Sequence, residues 1–332
     1  MYFMKKRTLT ILILIILGAG GYLLWGTNHN NPDSLEAFSV RLSWVHQAQF
    51  AGLYVAKEKG FYEDVGLDVS FLSADVSITQ TDEVAAGAVD ASIMEAHQFL
   101  ADEVHINDLE AVAAIYQVNP HVLAARADSA ITGPEDFSGK MIGLAGGKSE
   151  GTALFETFID SIKNGQSVTY TELGFDTVDD FLNRRADIID VYRIDQPYRA
   201  AEEGIPLTII PLDAYGFSTY GDVVVMNKGT TEGNPDRARR FVQATLRGWE
   251  YALEYPEEAV DITLAYAEGE YYDRAYQEHI LFESIPLVRG EASVLGTMEL
   301  VPWSTLYESM RRAGVITMPF NVNDVYTNEF IH

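Results

Sequence analysis

Two α/β lobes joined by two crossing strands are the architecture this sequence predicts, and three observations predict it. From Phe38 onward, short extended stretches alternate with helical ones, the order of βαβ units and a mostly parallel sheet. A second set of the same kind begins after "HVLAAR". The chain then returns through "YGDVVVMNKG" and turns helical, with apolar residues at three- and four-residue spacing. At 332 residues with 47% hydrophobic content, the chain is long enough for two ordinary domains and rich enough for a sizeable core.

Each element has its own signal. "FSVRLSW" reads as a strand, "QFAGLYVAKEKGFYEDVG" as a helix closed by Gly60 with a further turn to Gly66, and "LDVSFLS" as a second strand. "TQTDEVAAGAVDASIME" is a helix leading into a short strand, and "EAVAAIYQVNPHVLAAR" holds long extended stretches. The second set runs "GPEDFSGKMIGLAGGKSEGTALFETFIDSI" (turn, strand, glycine loop, helix), "SVTYTEL" (strand), "TVDDFLNRRA" (helix), "DIIDVYRI" (strand), "QPYRAAEEG" (helix) and "LTIIPL" (strand). Asn234 and Pro235 are a helix start, cap and first residue, and Pro256 breaks the last long run in two. The boundaries expected are residues 1–36 as signal or anchor with tether, 37–122 plus 223–332 as the first lobe, and 123–222 as the second. The crossings fall near Tyr116–Ala125 and Asp222–Met226, which makes a hinge with a cleft suited to engulfing a small molecule.

The balance of 23 Lys+Arg against 49 Asp+Glu, net −26, repels phosphate backbones and anionic lipid, so nucleic acid is not an expected partner. With no cysteine, disulfides, thiolate chemistry, Cys-based metal sites and a lipid-modified Cys are all excluded. "KKR", Lys5–Arg7, precedes the uncharged "TLTILILIILGAGGYLLWG", Thr8–Gly26, a positive n-region and an apolar run of 19 residues. That is near the length of a spanning helix, so an uncleaved membrane anchor is favoured over a removed signal peptide. Either way the remainder is expected outside the cytoplasm.

"WVHQAQFAGLYVAKEKGFYEDVGLDV", Trp44–Val69, resembles the N-terminal signature of the thiamine-precursor-binding and thiamine-pyrimidine-synthase-like branch of type II periplasmic binding proteins (SsuA/THI5-like). The resemblance continues through "AGAVDASI" (Ala86–Ile93), "DFSGKMIGLAGG" (Asp136–Gly147), "YGFSTYGDVVVMN" (Tyr215–Asn227), "RGWEYALEYPEEAVDI" (Arg247–Ile262) and "VYTNEFI" (Val325–Ile331). It covers nearly everything after residue 38. It implies a two-lobed receptor that hands a flat heterocycle, such as a thiamine pyrimidine precursor, to an ABC permease and its ATPase. A monomer without cofactor is expected. Two other readings remain: a ligand sensor feeding a membrane kinase, and a pyrimidine synthase. The synthase uses a pyridoxal-phosphate Lys and a His four residues on. Aligned on Val89-Asp90, this sequence has Met94 and Gln98 in those places, with His97 out of register, and "GFSTYGD" where the enzyme has a Cys-rich motif. Without a Lys amine no Schiff base forms.

Candidate ligand-binding residues lie where α/β sheets present guests, at strand carboxyl ends. Trp44 ends the first strand and offers an indole for stacking, where the resemblance implies an aromatic in the family's pyrimidine binders; a core Trp packed on the neighbouring helix is the alternative. Gln47 and Gln49 offer paired donors and acceptors for ring nitrogens and amines; capping and solvation are the alternative. His46 has a weaker case, and Tyr54 either reaches the cleft or packs. Glu95 can accept from an N–H pair or cap the helix starting near Ala96; His97 lies beside it. Gly147, Lys148 and Ser149, in the glycine loop opening a helix, offer backbone N–H groups. Tyr192 is a second aromatic wall with Asp190 or Asp195 as acceptor, while Arg193 pairing with one of these carboxylates is the structural alternative. Tyr215, Tyr220 and Asp222 sit at the return crossing, where a buried Tyr hydroxyl needs a ligand or a backbone carbonyl. No catalytic or metal constellation emerges: there is no G-x-S-x-G or H-E-x-x-H, and the seven His are scattered.

Overall fold

The computed structural model describes residues 35–332 apart from 76, 103–104, 146–149, 175–177 and 180–183. The apolar N-terminal run and half of "TVDDFLNRRA" therefore lie outside the described residues. Among those described, no helix is long and apolar enough to cross a membrane.

Among the described residues, ten strands form two five-stranded sheets. β1 (Glu36–Arg41), β2 (Leu67–Leu72), β3 (Ala91–Glu95), β4 (Leu109–Ala114) and β10 (Asp222–Asn227) make the first, in the order β2-β1-β3-β10-β4. β5 (His121–Arg126), β6 (Met141–Leu144), β7 (Thr169–Glu172), β8 (Ile188–Tyr192) and β9 (Leu207–Pro211) make the second, in the order β7-β6-β8-β5-β9. The expectation of mostly parallel sheets needs correction. β10 runs antiparallel to both β3 and β4, and β5 runs antiparallel to both β8 and β9. The reason is topological: β5 and β10 are the strands that enter each sheet directly from the other, so they arrive head-on rather than through a crossover helix.

The helices of the first sheet are α1 (Ala51–Glu58), α2 (Phe61–Asp64), α3 (Gln80–Ala85) and α4 (Ala96–Ala101); those of the second are α5 (Glu150–Ile162) and α6 (Gln196–Glu202). After β10 come α7 (Lys228–Gly233), α8 (Pro235–Glu254), α9 (Pro256–Leu264), α10 (Arg274–Arg289) and α11 (Leu300–Arg312). Asn234 caps α8 as its sequence implies, its side chain accepting from Arg237 N, and Pro256 begins α9. Gly60 and Gly66 hold left-handed φ of 73° and 77° where the sequence places the turns.

Two close approaches fix the frame. A Cβ at Gly52 of α1 would lie 2.2 Å from the Trp249 ring, and one at Gly248 of α8 would lie 2.1 Å from Gly52 O, so the helices cross through these two glycines. That crossing seats α1, and with it the 42–50 loop, over the end of β1. At the crossings between sheets, Gly221 N donates to Tyr116 O (3.0 Å) and Tyr116 N to Asp222 O (3.0 Å). Asn119 Nδ2 donates to Thr219 Oγ1 (3.0 Å) and Tyr220 O (3.2 Å). A Cβ at Gly221 would meet Pro120 Cδ at 2.7 Å, so the two connecting segments lie side by side as one narrow bridge. One apolar core joins β1, α1, α8 and α10; another runs from Phe99 and Leu109 beside the first sheet to Leu154, Phe158 and Ile188 beside the second.

Candidate functional site

The antiparallel entry of β5 and β10 brings their first residues, His121 and Asp222, to the edge where the parallel strands end. Asp222 pairs with Glu95, the last residue of β3, and His121 pairs with Tyr192, the last of β8. Around these four a buried polar cluster spans the two sheets.

On one side, Gln49 Nε2 donates to Asp222 Oδ2 (2.7 Å) and lies 3.3 Å from Ser43 Oγ and 3.5 Å from the Tyr192 hydroxyl, which belongs to the second sheet. Gln47 Nε2 donates to Gln49 Oε1 (2.8 Å). Gln47 itself is 2% exposed and its Oε1 has no partner. Gln47 stands at an N-cap position but makes no side-chain cap, and Gln49 Nε2 is turned to Asp222, so the capping alternative does not hold. Burial, with repulsion from Glu95, pushes the Asp222 carboxyl up to about 7, even though Gln49 and Ser43 donate to it.

On the other side, His121 Nε2 lies 2.9 Å from Glu95 Oε2 and Nδ1 lies 3.0 Å from Asp190 Oδ1. A neutral imidazole has one N–H, so only the imidazolium donates to both carboxylates. Burial pulls the His121 pKa down, yet Asp190 and Glu95 together hold it well above the ordinary value. Burial pushes Glu95 up, and His121 with His97 more than offsets it, leaving Glu95 well below the usual carboxylate range. His97 is 7% exposed; its Nδ1 lies 3.2 Å from Glu95 Oε2 but at an angle that makes no hydrogen bond. The His121 ring is flanked by Phe155 (centroids 4.5 Å apart) and meets Tyr192 edge-on (5.2 Å, 90°). Glu95 occupies the N-cap position of α4 but does not cap it, because its carboxylate is turned to His121.

Gln47, Gln49, Glu95, His97, Asp190, Tyr192 and Asp222 thus come together. Trp44 is half-buried in the same loop, packed against the first core, with its carbonyl accepting from Ala74 N (3.1 Å). Other candidates lie elsewhere. Tyr54 is fully buried, stacked on Tyr266 (4.2 Å, 13°) with its hydroxyl 2.9 Å from His46 Nδ1, so it packs rather than faces the cluster. Tyr220 is in the second core against Trp303, and its hydroxyl oxygen accepts from the Glu299 backbone N–H (2.7 Å). Tyr215 stands 40% exposed on a short turn after β9. Asp195 is held by Arg199 (2.9 Å) and Tyr276 (2.7 Å), while Arg193 pairs with Glu283 (3.0 Å) rather than with Asp190 or Asp195. Gly147, Lys148 and Ser149 lie outside the described residues.

The residue that sequence reasoning missed is His121, together with Ser43 and Phe155. Its signal was available: it is the first residue of a strand entering from the crossing, two after Asn119. A separate cavity of about 290 Å³ lies between α6 and the start of α10, lined by Tyr198, Arg199, Glu202, Asp273 and Tyr276 among others, and none of the clustered residues borders it.

Two mixed sheets linked by a double crossing, with polar groups gathered where their edges meet, define the two-lobed fold of solute-binding proteins. The sulfonate-binding protein SsuA of Methylobacillus flagellatus superposes with a TM-score of 0.65 over 90% of this chain and 93% of its own, at 13% identity. Residues 47–259 match the family model described as NMT1/THI5 like, and the chain belongs to that family. Similar proteins include the riboflavin-binding protein RibY of Chloroflexus aurantiacus, 26% identical over 99% of this chain and 98% of that one. A formylaminopyrimidine-binding protein of Halalkalibacterium halodurans is 23% identical over 71% and 72%. A 4-amino-5-hydroxymethyl-2-methylpyrimidine phosphate synthase of Legionella pneumophila is 21% identical over 88% and 92%.

Proposed function

We propose that the protein is an extracytoplasmic solute receptor of an ABC-type importer. In this reading it binds a small, flat, nitrogen-rich heterocycle, of the riboflavin or thiamine-pyrimidine kind, between lobes 37–122 plus 223–332 and 123–222. The observation that carries this reading is the buried cluster spanning both sheets, in which Gln49, Asp222 and Glu95 on one side meet Tyr192, His121 and Asp190 on the other. Amides, carboxylates and aromatic faces are the groups that read a planar ring's edges and surfaces. The full-length likeness to a riboflavin-binding protein supports the same ligand class. Trp44 is proposed as a stacking wall and the segment Thr8–Gly26 as the export signal or anchor.

Closure about the bridge at 115–121 and 216–222 is the proposed mechanism. A guest that contacts both lobes adds interactions only the closed arrangement can make, and so shifts the population toward it. The permease would then read the paired lobe surfaces.

Two relatives carry a pyrimidine synthase name, which supports an enzyme as the second reading. Against it stands Met94, which occupies the expected Lys position and is 1% exposed within β3. The test is a thermal-shift panel of flavins, thiamine precursors and related heterocycles, run beside incubation with pyridoxal phosphate and iron. A receptor at a hundredfold excess of ligand over Kd gains about 2.7 kcal/mol, a rise of several degrees in Tm, with no turnover. An imine absorbance with product formation would establish the enzyme instead, and no shift across the panel would overturn the ligand class.

A further inference from the structure

The buried cluster is one-sided in charge. Three carboxyl groups, Glu95, Asp190 and Asp222, converge there, the last two only 2% and 1% exposed. The cationic partner within it is the His121 imidazole, with His97 alongside. No Lys or Arg hydrogen-bonds to these carboxylates among the described residues. The guanidinium groups of neighbouring segments are turned to other acids: Arg41 to Glu83 (2.8 Å), Arg193 to Glu283 (3.0 Å) and Arg199 to Asp195 (2.9 Å). Among the described residues, the one buried side-chain amide atom left over, Gln47 Oε1, is again an acceptor.

The chain also displays what such a site holds. His121 is itself a flat nitrogen ring, set beside Phe155, edge-on to Tyr192, and donating from opposite nitrogens to carboxylates of the two sheets. A buried site rich in acceptors rewards N–H and O–H donors. It penalises an anion, because a phosphate would lose its hydration and gain no guanidinium or ammonium from the described residues of the cluster. The net charge of −26 adds a repulsive field on approach.

We infer that the site selects uncharged or cationic nitrogen heterocycles and excludes their phosphate esters. The carboxylates of Glu95 and Asp190 act as the repulsive element of that specificity. This rests on the receptor reading above, and it separates a carrier of the free heterocycle from a protein that handles phosphorylated forms.

The experiment is calorimetric titration of the full chain with two matched pairs: riboflavin against its 5′-phosphate, and the hydroxymethyl aminopyrimidine against its phosphate. The expected result is that at least one parent compound binds and does so more than 100-fold more tightly than its ester. Equal or tighter binding of an ester overturns the inference and leaves the receptor reading standing. Failure of all four compounds to bind overturns the inference, while the ligand class of the receptor reading falls only if the wider heterocycle panel also gives no shift. In Glu95→Gln, whose fold is checked by circular dichroism, the parent-to-ester ratio is expected to narrow at least threefold. An unchanged ratio removes the cluster as the source of the rejection.

Discussion

Asp222 opens β10 with its carboxyl group buried, bonded by Gln49 and facing Glu95, and its pKa is raised from 3.8 to about 7. Between those values the folded protein binds a proton that the unfolded chain does not. Stability from this group therefore falls as pH rises across that window, and the loss is complete above about pH 7. The limit is about 4 kcal/mol. His121 has the same sign, its contribution present below 6.5 and lost as pH rises through its higher folded pKa. Glu95 has the opposite sign, its contribution present above 4.5 and lost as pH falls toward its depressed folded value. Urea unfolding between pH 4.5 and 7 should show wild type losing stability while Asp222→Asn stays nearly flat and is the more stable of the two at pH 7. Parallel slopes would contradict the assignment. The amide pair Gln47 and Gln49 was legible in the sequence because polar residues just before a helix announce either a cap or a guest. His121 was not, because a site at strand carboxyl ends does not direct attention to the first residue of an antiparallel strand. Tyr54 and Tyr220 read as aromatic candidates, yet only their partners, Tyr266 and the Glu299 amide, decide that they pack.

At the level of elements, the pattern placed the strands and most helices up to Pro256, since the punctuating Gly60, Gly66, Asn234 and Pro256 act locally, whereas α7, α10 and α11 were not placed. Strand direction was not legible. It follows from how the chain passes between sheets, which no local pattern encodes. Nor does sequence explain why "QFAGLY" needs its glycine; that reason lies about 200 positions away, where Trp249 covers Gly52 and Gly248 meets its carbonyl. Adding a methyl group there forces apart two helices that carry the 42–50 loop. Gly52→Ala should lower stability by about 3 kcal/mol or prevent folding, measured by denaturant midpoint, and should weaken ligand binding in whatever folds. A wild-type midpoint in Gly52→Ala would show that the crossing is looser than described.

Across the whole molecule, the proposed hinge is constrained in a manner the sequence does not reveal. An apolar core runs continuously from Phe99 and Leu109 to Leu154, Phe158 and Phe217, so on that flank the two sheets share buried surface. Separation there would expose large apolar side chains, at roughly 25 cal/mol per Å². The flank with fewer apolar ties is where Arg193 meets Glu283 and Tyr276 meets Asp195. Opening is therefore expected on the α6–α10 side, with the bridge at Gly221 and Tyr116 as the pivot. Breaking one of these polar ties, as in Tyr276→Phe, should enlarge the ligand-free radius of gyration in small-angle scattering, whereas no change in it would place the opening elsewhere. The measurement that tests the central claim most directly is a crystal structure with a bound heterocycle from the panel. The account predicts the ring between the two sheets, its edges within hydrogen-bond distance of Gln49 or Asp222 and of Asp190 or Tyr192, with the Trp44 indole against its face. A guest seated instead in the cavity beside Tyr198 and Arg199, with Trp44 sealed away from it, would contradict the account.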